Sequence, residues 1–221
     1  MGFLSDMVFD AVAGAAVDMA LGRDTDLKGK TPEQQDVIKY FTEENGCFKK
    51  RHVSDEQFDA IVANQVSRID FYHNAINKLN IDEEEFKEVE PIKFEATPFK
   101  LSALHYFGKD DVMRSSNREF TYIFTTDKQF FVYSYVMNFN NNERKERAQE
   151  YFLKDVVSIT TEDTTEKVSV WGGTKRNEVV TELVIKMTNE DFRCTIKSND
   201  QEASNGVQAL KAKLREFKTR E

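Results

Sequence analysis

One window, from Glu119 to Phe139, constrains the fold of this chain more than any other. At its centre it reads FTYIFTTDKQFFVYSYVM. Eight of the chain's 26 aromatic residues lie within it: Phe120, Tyr122, Phe124, Phe130, Phe131, Tyr133, Tyr135 and Phe139. Two β-rich runs, 119–126 and 129–137, flank the polar hinge Thr126-Asp127-Lys128, and this order predicts a β-hairpin. The second run is apolar on both faces, with Phe130, Val132 and Val136 on one and Phe131, Tyr133, Tyr135 and Met137 on the other. A strand of this kind belongs in a sheet covered on both sides rather than one with a wet face.

Upstream of the hairpin the apolar spacing is helical. Thr31-Pro32-Glu33-Gln34 opens a helix with Thr31 as N-cap, Pro32 at the first helical position and Gln34 completing a capping box. Val37, Ile38, Tyr40 and Phe41 face inward, and Asn45-Gly46 ends the helix. Ser54 and Gln57 form a second capping box. Behind it Phe58, Ile61, Val62, Gln65, Ile69, Tyr72, Ile76 and Leu79 recur at three- and four-residue steps, which predicts a helix of about 25 residues.

The first stretch, Phe3 to Leu21, is almost wholly apolar and reads as an amphipathic helix. Its acids Asp6, Asp10 and Asp18 fall on one stripe, and Phe3, Leu4 and Val8 are its leading contact residues. Nineteen helical residues reach about 28 Å, the thickness of a bilayer core. Three buried acids would each cost roughly 2.5–3.5 kcal/mol near the centre, which argues against insertion. No basic segment precedes the stretch, and Asp6 breaks the myristoylation pattern that Gly2 would begin. Two roles are left for this helix: packing on protein, within the chain or between copies, and lying on a membrane surface.

After Pro91 the period changes to that of strands. A first sheet strand runs from Leu101 to Phe107, and Gly108 to Arg118 is a polar loop before the hairpin. Asn138 to Glu146 reads as a loop, Gln149 to Leu153 and Val156 to Thr160 as strands, and Glu162–Glu166 as a polar break. Val168 to Trp171 alternates and ends at Gly172-Gly173. Val179 to Met187 and Phe192 to Lys197 complete the strands. A helix from about Asp200 follows, with Ala203, Val207, Leu210, Leu214 and Phe217 inward and a basic outer face. The expectation is an α+β chain: a helical region over residues 1–90 with three main helices, then an antiparallel β domain over 91–221 closed by a helix.

Several residues in this second half carry a family resemblance. The hairpin Phe124-Thr125-Thr126-Asp127-Lys128-Gln129-Phe130-Phe131-Val132-Tyr133 resembles the "L-T-x-x-R-L" strand pair of the bacterial pleckstrin-homology-like (PH-like) family. Gln129 stands where that family often has Arg. The run Tyr151-Phe152-Leu153-Lys154-Asp155-Val156-Val157-Ser158-Ile159 is similar to its "I-P-L-x-D-I-x-S-I" strand. The resemblance covers residues 95–219, a little over half of the chain. It implies a β-barrel or sandwich capped by the C-terminal helix. In lipid-binding members, basic residues after the first strand grip phosphates; the matching positions here are Lys109, Arg114 and Arg118, with Asp110 and Asp111 among them.

Charge and motif content narrow the functional classes. Residues 1–98 carry 11 Lys/Arg against 20 Asp/Glu, and residues 99–221 carry 20 against 19. The acidic half would be repelled by phosphate backbones, which disfavours bulk nucleic-acid binding. The basic outer face of the last helix is either solvated or matched against the acidic half. Cys47 and Cys194 form no disulfide framework, in keeping with a reducing, cytoplasmic setting. Gly-rich phosphate loops, His-Glu-x-x-His, Gly-x-Ser-x-Gly and Cys-x-x-Cys are all missing from the sequence. Cys47, His52 and His73 fit no zinc spacing, and Asp82 to Glu85 reads as a helix start rather than a cation loop. No catalytic, metal or cofactor site is therefore assigned. The expectation is a non-enzymatic binding or adaptor protein whose partner is another protein, a second copy, or an anionic lipid. The alternative is a peripheral membrane protein anchored by residues 3–21. Trp171, beside Gly172-Gly173 at a hairpin tip, is a contact anchor if exposed and core if buried.

Overall fold

The computed structural model describes residues 27–42, 52–82, 84, 89–97, 104–169 and 175–220. Phe3, Leu4, Val8 and the rest of the expected helix 3–21 lie outside the described residues, as do Cys47, Leu101 and Trp171. Among the described residues three helices precede the strands: α1 Pro32–Thr42, α2 Asp55–Ser67 and α3 Phe71–Leu79. Nine strands follow among the described residues: β1 Ile92–Ala96, β2 His105–Phe107, β3 Met113–Ser115, β4 Asn117–Thr125, β5 Gln129–Asn138, β6 Glu143–Phe152, β7 Val156–Ser169, β8 Lys175–Met187 and β9 Asp191–Ile196. Helix α4, Gln201–Arg220, closes the chain. The chain is thus a mixed α+β protein with antiparallel sheets. No described helix is long and apolar enough to cross a membrane.

Local chemistry sets the helix starts. Thr31 and Gln34 exchange backbone-to-side-chain hydrogen bonds at 2.9 and 3.3 Å, and Ser54 and Gln57 do the same at 2.8 and 3.2 Å. The single 25-residue helix expected after Ser54 is instead two. Asp70 accepts from the His73 backbone N–H at 3.1 Å and starts α3 afresh, while Arg68 ends α2. A short acceptor at that position offers the backbone an alternative to continued helix. The break lets α3 turn onto β5 and β6. Asn80 ends α3 in the left-handed region, φ 53°.

The sheets do not close into a barrel. Ladder hydrogen bonds define a four-stranded sheet in the order β1-β4-β5-β6, a β2-β3 hairpin and a three-stranded sheet β7-β8-β9. Strand β9 runs beside β1, and a 3-10 turn, Leu153–Asp155, joins β6 to β7. The aromatic window forms β4 and β5, with Phe124 opposite Phe131, Tyr122 opposite Tyr133 and Phe120 opposite Tyr135. One face of this hairpin packs Tyr122, Phe124, Tyr133 and Tyr135 against Tyr40, Phe41, Phe58 and Ile76 of the helices. Its other face packs Ile123, Phe130 and Val132 against Leu183, Ile185 and Phe192 of the second sheet and against Val207 and Leu210 of α4. The helices and the first sheet therefore share one core. A stacked pair ties them, Phe71 lying 4.1 Å from Tyr122 with planes 4° apart, and a second stack, Tyr40 at 4.3 Å from Phe58, joins α1 to α2. Burial pushes the Tyr133 and Tyr135 phenols up from their ordinary pKa, and the Tyr151 phenol to about 12.

Two other expectations change. Glu143–Phe152 is one continuous strand, β6, although half of it reads as loop. Five charged residues in succession, Glu143 to Arg147, lie on a sheet edge, where pairing with the full length of β5 determines the conformation. The polar stretch 162–166 does not break β7. It belongs to an arm of the β7-β8 hairpin that leaves the core, so Asp163 to Lys167 are exposed in succession. Helix α4 seats flush on β1 because of Gly206, where a Cβ would stand 2.8 Å from Ile92 Cγ2.

Gln65 of α2 occupies a core position of the helical stripe. It is 3% exposed, and neither atom of its amide has a hydrogen-bond partner. A buried amide left unpaired costs about 1–3 kcal/mol. Replacing it with the similarly shaped thioether in Gln65→Met is expected to raise the unfolding free energy by about 1–2 kcal/mol, measured by urea denaturation at neutral pH. An unchanged or lowered midpoint would show that the amide is satisfied in solution.

Candidate binding site

The three basic residues expected to form an anion site occupy different settings. Arg114 is on β3 and Arg118 on β4, so the region 108–118 is not one loop; Lys109 sits in the β2-β3 turn. The Arg114 guanidinium is buried and gives all five of its N–H groups to protein acceptors. Nε and Nη2 donate to the two carboxylate oxygens of Asp59 at 2.9 and 2.7 Å. Nη1 and Nη2 donate to those of Asp110 at 2.9 and 2.8 Å. Nη1 also donates to the Val112 carbonyl at 3.2 Å. Arg114 has no donor left for a ligand.

This arrangement fastens α2 to the β2-β3 hairpin. One turn earlier on α2, Asp55 accepts from the Tyr40 hydroxyl of α1 and from the Lys109 backbone N–H, both at 2.8 Å. Among the described residues the acidic helical half meets Arg114, and Arg220 on the basic face of α4 turns to Asp127 and Glu216. Hydrogen bonds from Arg114, and then the Val112 N–H, hold the Asp110 carboxyl well below the usual carboxylate range. Packing around the guanidinium is tight at Gly108: a Cβ there would lie 2.3 Å from Arg114 Nη1 and 2.6 Å from oxygens of Asp55 and Asp110.

Arg118 lies at the edge of a cleft of about 740 Å³ on the seam between the helices and the sheets. Val62 and Val66 of α2 form one wall, and Val112 and Met113 of the β2-β3 hairpin a second. Val179 and Val180 of β8 and Ile196 at the end of β9 form a third. Lys93, Glu95 and Lys197 border the corner where β1 and β9 end. Val112 and Val179 are 52% and 54% exposed, half of the described large apolar side chains left in solvent. Two such residues facing one recess make a ligand-sized site with an apolar wall and a charged corner. Of the described residues singled out from sequence as site candidates, only Arg118 lines this cleft. Val112 and Val179 were not separable from ordinary strand and loop valines, because what marks them is their position across the cleft.

The remaining candidates stay apart. His73 is exposed and pairs with Asp70 within its own helix turn, and His105 is buried on β2. Among the described residues no group of three or more His, Cys, Asp or Glu side chains is placed to hold a metal ion. No family model matches the chain, and no match is found among curated proteins or solved structures.

Two outcomes follow for the Arg114 network. A carboxyl whose pKa is depressed by folding stabilises the folded chain above its unfolded value, and that contribution disappears as acid protonates it. The stability difference between the native chain and Asp110→Asn should therefore be constant above about pH 5 and shrink below about pH 4, as followed by urea midpoints. Gly108→Ala is expected to lower the unfolding free energy by about 1–3 kcal/mol through overpacking, a loss that the same denaturation series reads at pH 7.

Proposed function

We propose that this chain is a non-enzymatic binding protein built on a PH-like sandwich, with the seam cleft as its recognition site. A four-stranded and a three-stranded antiparallel sheet with a C-terminal helix packed against both support the PH-like reading. The observation that carries the functional reading is the cleft itself, with Val112 and Val179 exposed on its walls. Apolar surface is kept in water only at a cost of about 25 cal/mol per Å². Two exposed valines in one cleft with a cation at its edge supply what a ligand needs: area to bury and one polar group to orient it.

The reading is tested by screening small fragments against the full chain and mapping backbone amide shifts. Bound fragments should move Ala96, Val112, Val179 and Ile196 rather than the outer face of α4. Val179→Asp, at an exposed position, should abolish those shifts while leaving the circular dichroism spectrum unchanged. Fragments that gather elsewhere, and are insensitive to Val179→Asp, would overturn it.

A further inference from the structure

Arg114 and Arg118 lie four residues apart and differ in what each has left to donate. Arg114 is saturated. The Arg118 side chain donates from Nη1 to Glu95 at 3.1 Å and makes no other hydrogen bond, its Nε being buried without a partner. Its side chain is 18% exposed, and it borders the cleft. A guanidinium held by one carboxylate in a partly desolvated position still presents most of a planar fork, the geometry that matches a second carboxylate.

The charge around it sets the valence of the ligand. Glu95 is shared between Arg118 and Lys93, at 3.1 and 3.9 Å, so two cations meet one carboxylate. Lys197 is matched by Asp200 at 3.4 Å. At the corner itself Lys93, Arg118 and Lys197 outnumber Glu95 and Asp200 by one, while Glu178 of β8 and Asp59 of α2, which shares Arg114 with Asp110, also line the cleft and repel further negative charge. That balance suits a monoanion and disfavours a phosphate dianion. Beyond the corner the apolar part of the lining is Val66, Val112, Met113 and Val179, with Asp59 and Ser67 of α2 beside it.

We propose that the cleft takes an aliphatic monocarboxylate. Its carboxylate accepts N–H groups from Arg118, and its chain lies along the valines and Met113. The proposal rests on the reading of the cleft as the recognition site, and names the ligand class for it.

The test titrates the full chain with dodecanoate, dodecanol and dodecyl phosphate below their micelle concentrations, by calorimetry and amide-shift mapping. Dodecanoate should bind at least about tenfold more tightly than dodecanol, a difference of about 1.4 kcal/mol. Arg118→Gln should erase that preference. Glu95→Gln, which removes the competitor for the guanidinium, should tighten dodecanoate several-fold; a role for Arg118 in structure alone would not produce this. Dodecanol bound as tightly as dodecanoate, dodecyl phosphate bound more tightly, or no gain in Glu95→Gln overturns the carboxylate assignment and leaves the cleft reading standing. If none of the three ligands moves Val112, Val179 or Ala96, both readings fall.

Discussion

The β4-β5 hairpin is buried on both faces, and the rest of the structure answers that requirement. A sheet with aromatic rings on each side is insoluble until both are covered, and one layer of partners covers only one. The chain supplies the two covers from opposite ends. Helices α1 to α3 come before the hairpin and pack on Tyr122, Phe124, Tyr133 and Tyr135. The second sheet and α4 come after it and pack on Ile123, Phe130 and Val132. Neither core is complete without the hairpin. With each buried aromatic or large aliphatic side chain contributing roughly 1.5–3 kcal/mol, the helical half has little reason to fold apart from the sheet.

Apolar burial sets which faces meet but specifies their alignment weakly, because rings tolerate sliding. The polar contacts at the seam supply the alignment. Arg114 reaches Asp59 through two parallel hydrogen bonds, a geometry with one permitted orientation. Asp55 adds a junction among α1, α2 and the β2-β3 turn. A pair whose guanidinium is buried adds little net stability, since desolvation of the cation offsets the Coulomb attraction, and removing its partner is costly. Its physical role here is register: it fixes where α2 sits along the hairpin, and so fixes the width of the cleft beside it.

The parts of this structure that were legible in the sequence are those with local causes. Both capping boxes are set by residues three apart, and the two-sided hairpin by its own alternation. The inward face of α4 was legible for the same reason. Non-local causes hid the rest. Arg114 looks like a ligand-seeking cation in a polar loop until Asp59, 55 residues away, is folded onto it. The charges of β6 mask a strand whose conformation comes from pairing with β5. Asp70 caps α3, but the apolar stripe running through it from Phe58 to Leu79 masked the break. The cleft was illegible altogether, because its walls come from α2, the β2-β3 hairpin, β8 and β9.

The same reasoning separates structural cations from available ones. Net charge does not distinguish Arg114 from Arg118, and neither does position in a loop or a family pattern. The number of N–H groups already committed does. An arginine with every donor matched has its free energy minimum inside the protein, and a ligand would have to displace carboxylates to reach it. One with a single partner in a partly dry recess has paid most of its desolvation during folding and recovers little of it until another acceptor arrives. Folding has left Arg118 in that condition in a cleft with exposed valines, and both deficits would be relieved together by one molecule with an acidic head and an apolar body.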